Sequence, residues 1–250
     1  MKHARPSFAG RRRFIAGTLA VGAAAVVGWP RFVFAADASG TPVRIGIIGS
    51  GRIGGTLGEL WVAAGHPVMF SSLDLEQDKQ LAARVGHGAR AGTPAEAAAF
   101  GDVILVSVPY SAVPQIGRDN AASLKGKVVL DTSNPVQARD GDMAAVAREK
   151  GAGIASQEYL QGARLVRAFN SVGFNALKAG AGRAGEKIGI PLAADDADAL
   201  AVAKRLVEEA GFEPVVVGGL SKSKSFDVGS PVFGKGLPAS ELRKALGVSG

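Results

Sequence analysis

The sequence predicts an α/β fold: a doubly wound, mostly parallel sheet with a short C-terminal extension. Three observations carry that prediction. Short apolar, β-branched runs alternate with helical stretches across short loops from about residue 43 onward. The first run passes directly into Gly49-Ser50-Gly51-Arg52-Ile53-Gly54, and a helical stretch follows at once. The composition, 47% apolar and 20% charged over 250 residues, belongs to a chain able to bury a core.

Residues 1–36 hold Lys2, Arg5, Arg11, Arg12, Arg13 and Arg31 and no acid. An apolar run from Phe14 to Trp29 follows, closed by Pro30-Arg31, with small residues at Ala35, Ala36 and Ala38. A basic lead, a short apolar middle and a small-residue exit form the pattern of a bacterial export signal, and the run falls short of the roughly 18 residues of a span. Arg11-Arg12-Arg13-Phe14-Ile15 fits the twin-arginine (Tat) form, two Arg followed by any residue, Phe and an apolar residue. The expectation is a periplasmic protein, exported folded by the twin-arginine machinery, cleaved near Ala35–Ala38 and left without a membrane span. The same six residues explain the net charge of +7: removing them from 29 basic residues leaves 23 against 22 acidic ones. No nucleic-acid partner is therefore expected. Residues 37–42 read as a linker.

Val43–Ile48 reads as a buried parallel strand. A G-x-G-x-x-G between a strand and a helix is the fingerprint of a dinucleotide-binding Rossmann unit. Gly49 makes the tight turn, Gly51 lets the backbone approach a pyrophosphate, and Gly54 lets the helix sit close to the strand. The helix N-terminus then offers free N–H groups to the phosphates. Leu57, Leu60, Trp61 and Ala64 share one helical face, Gly65 stops it, and Val68–Ser72 is the second strand. At that strand's end an acid takes the ribose 2′-hydroxyl of NAD, whereas Ser or Arg groups take the 2′-phosphate of NADP. Ser71 and Ser72 suit the phosphate. Asp74 has the spacing of a ribose acid and equally the form of an N-cap for a helix at Leu75–Val85. Both nucleotides remain open.

Further strands are read at Asp102–Val108, Lys127–Asp131, Leu165–Asn170 and Lys187–Leu192, with a helix at Ala197–Ala210 stopped by Gly211. Ligands of such sheets lie beyond the carboxyl ends of the strands. That rule gathers Val108, Pro109, Tyr110, Asn134, Pro135, Phe169 and Asn170 around one crevice with the glycine loop. Tyr110 reads either as a ring-stacking or hydrogen-bonding group or as a strand cap. Asn170 reads as an amide able to bond a ring carbonyl, and Asn134-Pro135 as a candidate turn. With no cysteine and only His3, His66 and His87, no metal centre is expected; His66 reads as structural and His87 as a surface turn. The Rossmann domain is placed at 43–220 and the extension at 221–250, where Lys222-Ser223-Lys224-Ser225 reads first as a solvated loop and second as a basic patch for an acidic substrate.

From Val43 to about Phe233 the chain resembles the F420-dependent NADP reductase family, whose nucleotide domain also forms the cytoplasmic part of the STEAP metalloreductases. The carrying residues are the Gly49–Gly54 loop, Gly65-His66, Ser71-Ser72, Val106–Tyr110, Asp131–Pro135, Val166–Asn170, Ala194–Asp196 and Ala210–Phe212. The resemblance implies NADP as cofactor, a possible homodimer, and hydride exchange between the nicotinamide and a flavin or deazaflavin (F420) ring. Such chemistry needs two rings held face to face more than it needs a proton donor. In that family a Gly-Ser-Arg ends the second strand against the 2′-phosphate; Ser72 falls on the Ser, and Leu73 stands in place of the Arg. The expected enzyme is an exported NAD(P)-dependent oxidoreductase of a small-molecule redox substrate. Gly49, Ser50, Gly51, Arg52, Ile53 and Gly54 would hold the pyrophosphate, with Ser71, Ser72 and Asp74 at the adenosine ribose. Val108, Pro109 and Asn134 would frame the nicotinamide, with Tyr110 and Asn170 on the substrate side. The rivals are a nucleotide-binding sensor or scaffold without turnover and a reductase of another small substrate. Imine and hydroxyacid reductases add a long helical domain, for which the residues after Phe212 are too few.

Overall fold

Parallel strands buried on both faces select apolar side chains at successive positions, and Ile45–Ile48, Val103–Val106 and Val128–Asp131 are buried at every residue. The computed structural model describes residues 40–249, so the export-signal reading on residues 1–36 lies outside the described residues. In chain order the elements are β1 (Ile45–Ile48), α1 (Arg52–Ala63), β2 (Val68–Ser71), α2 (Leu75–Val85), β3 (Arg90–Ala91), α3 (Pro94–Phe100) and β4 (Val103–Val106). After a 3-10 turn at Tyr110–Ala112 come α4 (Val113–Asp119), α5 (Ala121–Leu124), β5 (Val128–Asp131), α6 (Gln137–Lys150), α7 (Ala152–Tyr159) and β6 (Arg164–Arg167). The chain continues with α8 (Phe174–Gly180), β7 (Gly189–Ala194), α9 (Ala197–Glu209), β8 (Glu213–Gly218), a second 3-10 turn (Leu220–Ser225) and α10 (Ala239–Leu246).

The eight strands form one sheet in the order β3-β2-β1-β4-β5-β6-β7-β8. Every pairing is parallel except β6 with β7. The order reverses direction between β1 and β4, the switch point outside which open α/β sheets bind their ligands. One core lies on the face of α1 and α9, where Trp61 is fully buried and its indole N–H donates to the Leu206 carbonyl at 2.9 Å. Phe169 meets both Trp61 and Phe212 edge-on there, at centroid distances of 6.1 and 6.0 Å. A second core on the opposite face includes Ile104, Val106, Tyr110, Val113 and Leu160.

The chain after residue 220 corrects the expected boundary. It is no appendage: Phe226, Val232, Ala239 and Leu242 pack with Ala193 and Val215 into a third core on β7 and β8. The strand β8, unread in the sequence, is an edge strand, and this position accommodates Pro214. His66 is buried at the opposite end of the sheet from the crevice. Its Nδ1 accepts the Val43 N–H at 3.0 Å while Nε2 lies 2.8 Å from Glu209, a structural tie. Among the described residues no helix is long and apolar enough to cross a membrane.

Candidate nucleotide-binding site

The glycine loop follows β1 at the switch point. Gly49 has φ +101°, a conformation an L side chain rarely adopts, and a Cβ there would strike the Ser107 carbonyl at the end of β4. Its N–H and that of Ser50 donate to the Ser71 carbonyl at 2.8 and 3.0 Å, fastening the loop to β2. A Cβ on Gly54 would strike the Gly49 carbonyl oxygen, so this residue sets how closely α1 approaches the turn. Beside Gly51 there is open space within 4 Å. Gly51 is also the N-cap of α1, with no side-chain cap and no acid in the first turn. The first-turn N–H groups thus point outward with the partial positive charge of the helix behind them, an arrangement that favours an anion. Arg52 is exposed, its guanidinium lying 5.9 Å from the centre of the Phe174 ring. Ile53 is half-buried against the core.

At the end of β2 the structure sorts the sequence candidates. Ser71 is fully buried and its hydroxyl donates to the Ile47 carbonyl at 2.6 Å, so it braces the sheet and does not reach a ribose phosphate. Asp74 follows its capping reading: its carboxylate caps α2 by accepting the Gln77 N–H at 3.0 Å. Leu73 projects wholly into solvent. Ser72 is half-buried, and its hydroxyl donates to Asp78 at 2.9 Å. Asp78, which the sequence reading passed over, is fully buried and also receives the hydroxyl of Ser50. One helical turn beyond Asp74, it lies on the inner face of α2, and that spacing was the available signal.

At the neighbouring strand ends, Pro109 is exposed, and Val108 and Asn134 are half-buried at the crevice. Tyr110 does not join them. Its ring is fully buried, edge-on to Tyr159 at 6.3 Å with its hydroxyl 3.5 Å from Ser156, and burial pushes the phenol well above its usual range. Asn170 reaches the crevice floor but faces inward: its amide nitrogen donates to Asp227 at 3.1 Å, and its side-chain oxygen is buried without a partner. Its backbone carbonyl accepts the Asn134 amide at 2.8 Å, so Asn170 holds Asn134 in place. The turn between them and β6 includes Phe169 at φ +58°, a strained position for an aromatic residue.

Beneath these residues lies a buried charge network also unread in the sequence. Arg167, fully buried, donates to Asp131 at 2.8 Å, to the Ser133 carbonyl at 2.7 Å and to Asp227 at 2.7 Å. Burial opposes the guanidinium's charge, but Asp227 and Asp131 outweigh it and hold the group above its ordinary range. Asp227 further accepts the Ala152 N–H at 3.1 Å and the Ser223 hydroxyl at 2.8 Å. The titratable groups at the ends of β5 and β6 are thus bound to one another and to the tail, not turned toward the crevice. Among the described residues no cluster of His, Cys, Asp and Glu could hold a metal ion.

Residues 44–135, from the start of β1 through the turn after β5, match the family described as NADP oxidoreductase, coenzyme F420-dependent. Over that stretch the chain is similar to this family. An F420-dependent NADP reductase from Methanothermobacter thermautotrophicus is 27% identical over 207 residues, 76% of this chain and 88% of the relative. A hypothetical protein from Sinorhizobium meliloti superposes with a TM-score of 0.67 at 25% identity, covering 79% of this chain and 96% of its own. An Arthrobacter structure provisionally described as an F420-dependent NADP reductase gives 0.64 at 18% identity, over 82% of this chain and 96% of its own. An imine reductase from Myxococcus stipitatus in complex with NADP+ gives 0.55 at 19% identity, but this chain spans only 60% of it. The last two likenesses are of fold alone. By this match and this relative, the chain is of the NAD(P)-dependent oxidoreductase class.

Proposed function

We propose that this chain is an exported oxidoreductase that binds NADP(H), with NAD(H) also admitted, and passes hydride between the nicotinamide and a flavin or deazaflavin (F420-like) ring. The carrying observation is the uncapped N-terminus of α1 behind Gly51, opening at the switch point of the sheet. The backbone of Gly49–Gly54 binds the pyrophosphate there, with Arg52 adding positive charge at the rim. Ser72 faces the adenosine ribose. Val108, Pro109 and Asn134 frame the nicotinamide, and Asn170 orients Asn134 from below. The bound nicotinamide supplies or accepts the hydride. Asp131, Arg167 and Asp227 are spent on one another, which suits a ring-to-ring transfer that needs no proton donor.

Residues 1–36 form the twin-arginine signal in this reading, so the mature protein acts in the periplasm, carries its nucleotide from the cytoplasm and pairs as a homodimer. The test begins with full-length chain purified without added cofactor. The expected result is bound or bindable nicotinamide dinucleotide together with hydride transfer to a flavin or to F420. Because space beside Gly51 is empty and its φ is −64°, Gly51→Ala should leave the melting temperature unchanged and weaken dinucleotide binding by about tenfold or more. Absence of any dinucleotide binding would overturn the proposal; tight retention without transfer to either ring would make the chain a sensor.

A further inference from the structure

We infer that Asp78 sets the nucleotide preference of this site: it draws the protons of Ser50 and Ser72 inward, so the adenosine end takes a free ribose 2′-hydroxyl over a 2′-phosphate. The inference rests on the dinucleotide reading above and, from the chemistry of these residues, puts NAD ahead of the NADP that the family likeness implies.

Ser50 belongs to the glycine loop and Ser72 directly follows β2, so both border the place where a βαβ unit receives the adenosine ribose. Each hydroxyl donates to a different oxygen of the one Asp78 carboxylate, Ser50 to Oδ1 and Ser72 to Oδ2. A serine hydroxyl has a single proton to give. With that proton committed, Ser50 and Ser72 offer only lone pairs outward, and Ser72 already uses one to accept the Asp74 N–H at 3.0 Å. A ribose hydroxyl can donate to such lone pairs. A phosphate ester, with acceptor oxygens and negative charge, meets acceptors backed by a buried carboxylate.

Among the described residues no neighbouring cation reverses this balance. An Arg at the end of the second strand is the usual partner of a 2′-phosphate; Leu73 is there, fully exposed. On α2, Lys79 is paired with Glu76 and Arg84 with Glu59, at 2.7 and 2.8 Å. The Arg52 guanidinium rests over Phe174.

The test is calorimetric titration of the full-length protein with NAD+, NADP+, ADP and 2′,5′-ADP. NAD+ is expected to bind about tenfold or more tighter than NADP+, and ADP tighter than 2′,5′-ADP by a similar factor. In Asp78→Asn the amide can donate to one serine and free its proton, so the NAD+ to NADP+ ratio should shrink about fivefold or more, mainly through tighter NADP+ binding. Leu73→Arg, at an exposed position, should shift the ratio the same way and keeps the test decisive if Asp78→Asn fails to fold. Wild-type protein that binds NADP+ as tightly as NAD+ or tighter overturns the role of Asp78 and leaves the nucleotide reading standing. So does an Asp78→Asn protein that loses both nucleotides equally, the mark of a merely structural residue. Failure of both dinucleotides to bind removes the nucleotide reading itself.

Discussion

Asp74 and Asp78 lie one turn apart on the same helix and differ only in where they face. Asp74 serves the helix end: replacing it with Ala removes a cap and should cost about 1 kcal/mol in urea unfolding, with the ratio of NAD+ to NADP+ affinity unchanged. Asp227 is the more consequential carboxylate for the fold. It is the second partner of a guanidinium with no exposure at all, and it also holds Asn170, Ser223 and the start of α7. Asp227→Ala leaves Arg167 with half its compensation in a buried setting, and the expected loss is about 3–5 kcal/mol by denaturant titration. The cap at Asp74 is legible in the chain, but the pairing of Asp227 with Arg167 is not. Arg167 sits in a strand between Val166 and Ala168, and only the tertiary partners, 36 and 60 residues away, make an inward-facing charge tolerable. Tyr110 was misplaced for a related reason: the 3-10 turn after β4 rotates it into the second core.

At the scale of elements, the glycine loop was the most legible part, because each glycine answers a local backbone requirement that a motif records. Gly54→Ala would drive a methyl group into the Gly49 carbonyl. It should therefore lower stability by about 1–3 kcal/mol and weaken dinucleotide binding together, whereas Gly51→Ala should affect binding alone. Thermal melts paired with titration distinguish the two. Strand cores were equally legible, since Ile45–Ile48, Val103–Val106 and Val128–Asp131 are apolar almost throughout. The β4 strand ends at Val106, two residues short of the sequence reading, although the Ser107 N–H still donates to the Ile48 carbonyl at 2.9 Å. The short β3 has two residues and no pattern to read. The edge strand β8 was hidden by Pro214, and the antiparallel direction of β7 is a property of the connection through α8, which composition does not encode.

For the molecule as a whole, acid stability follows from two carboxyl groups. Burial pushes Asp140 up, but Arg139 and the backbone N–H groups of Val136 and Ser111 outweigh it and hold the group at about 2. Asp196 is also at about 2, first through its bond to Arg164. Both are depressed from an ordinary value of 3.8, so their contribution is complete above that value and is lost as pH falls through the folded value. Stability should fall between about pH 4 and pH 2, and Arg164→Gln should flatten the decline in an acid titration followed by circular dichroism. The doubly wound class was thus readable from the sequence, while the closing of the tail over the sheet was not, because it depends on Asp227 finding Arg167. That pairing also orders events during synthesis. While the ribosome is still adding residues, the strand ends have their guanidinium but neither its second counter-ion nor the cover that Phe226 and Leu242 supply. A nascent polypeptide halted before Asp227 should stay protease-sensitive and chaperone-bound, and synthesis past Leu242 should lock the domain shut.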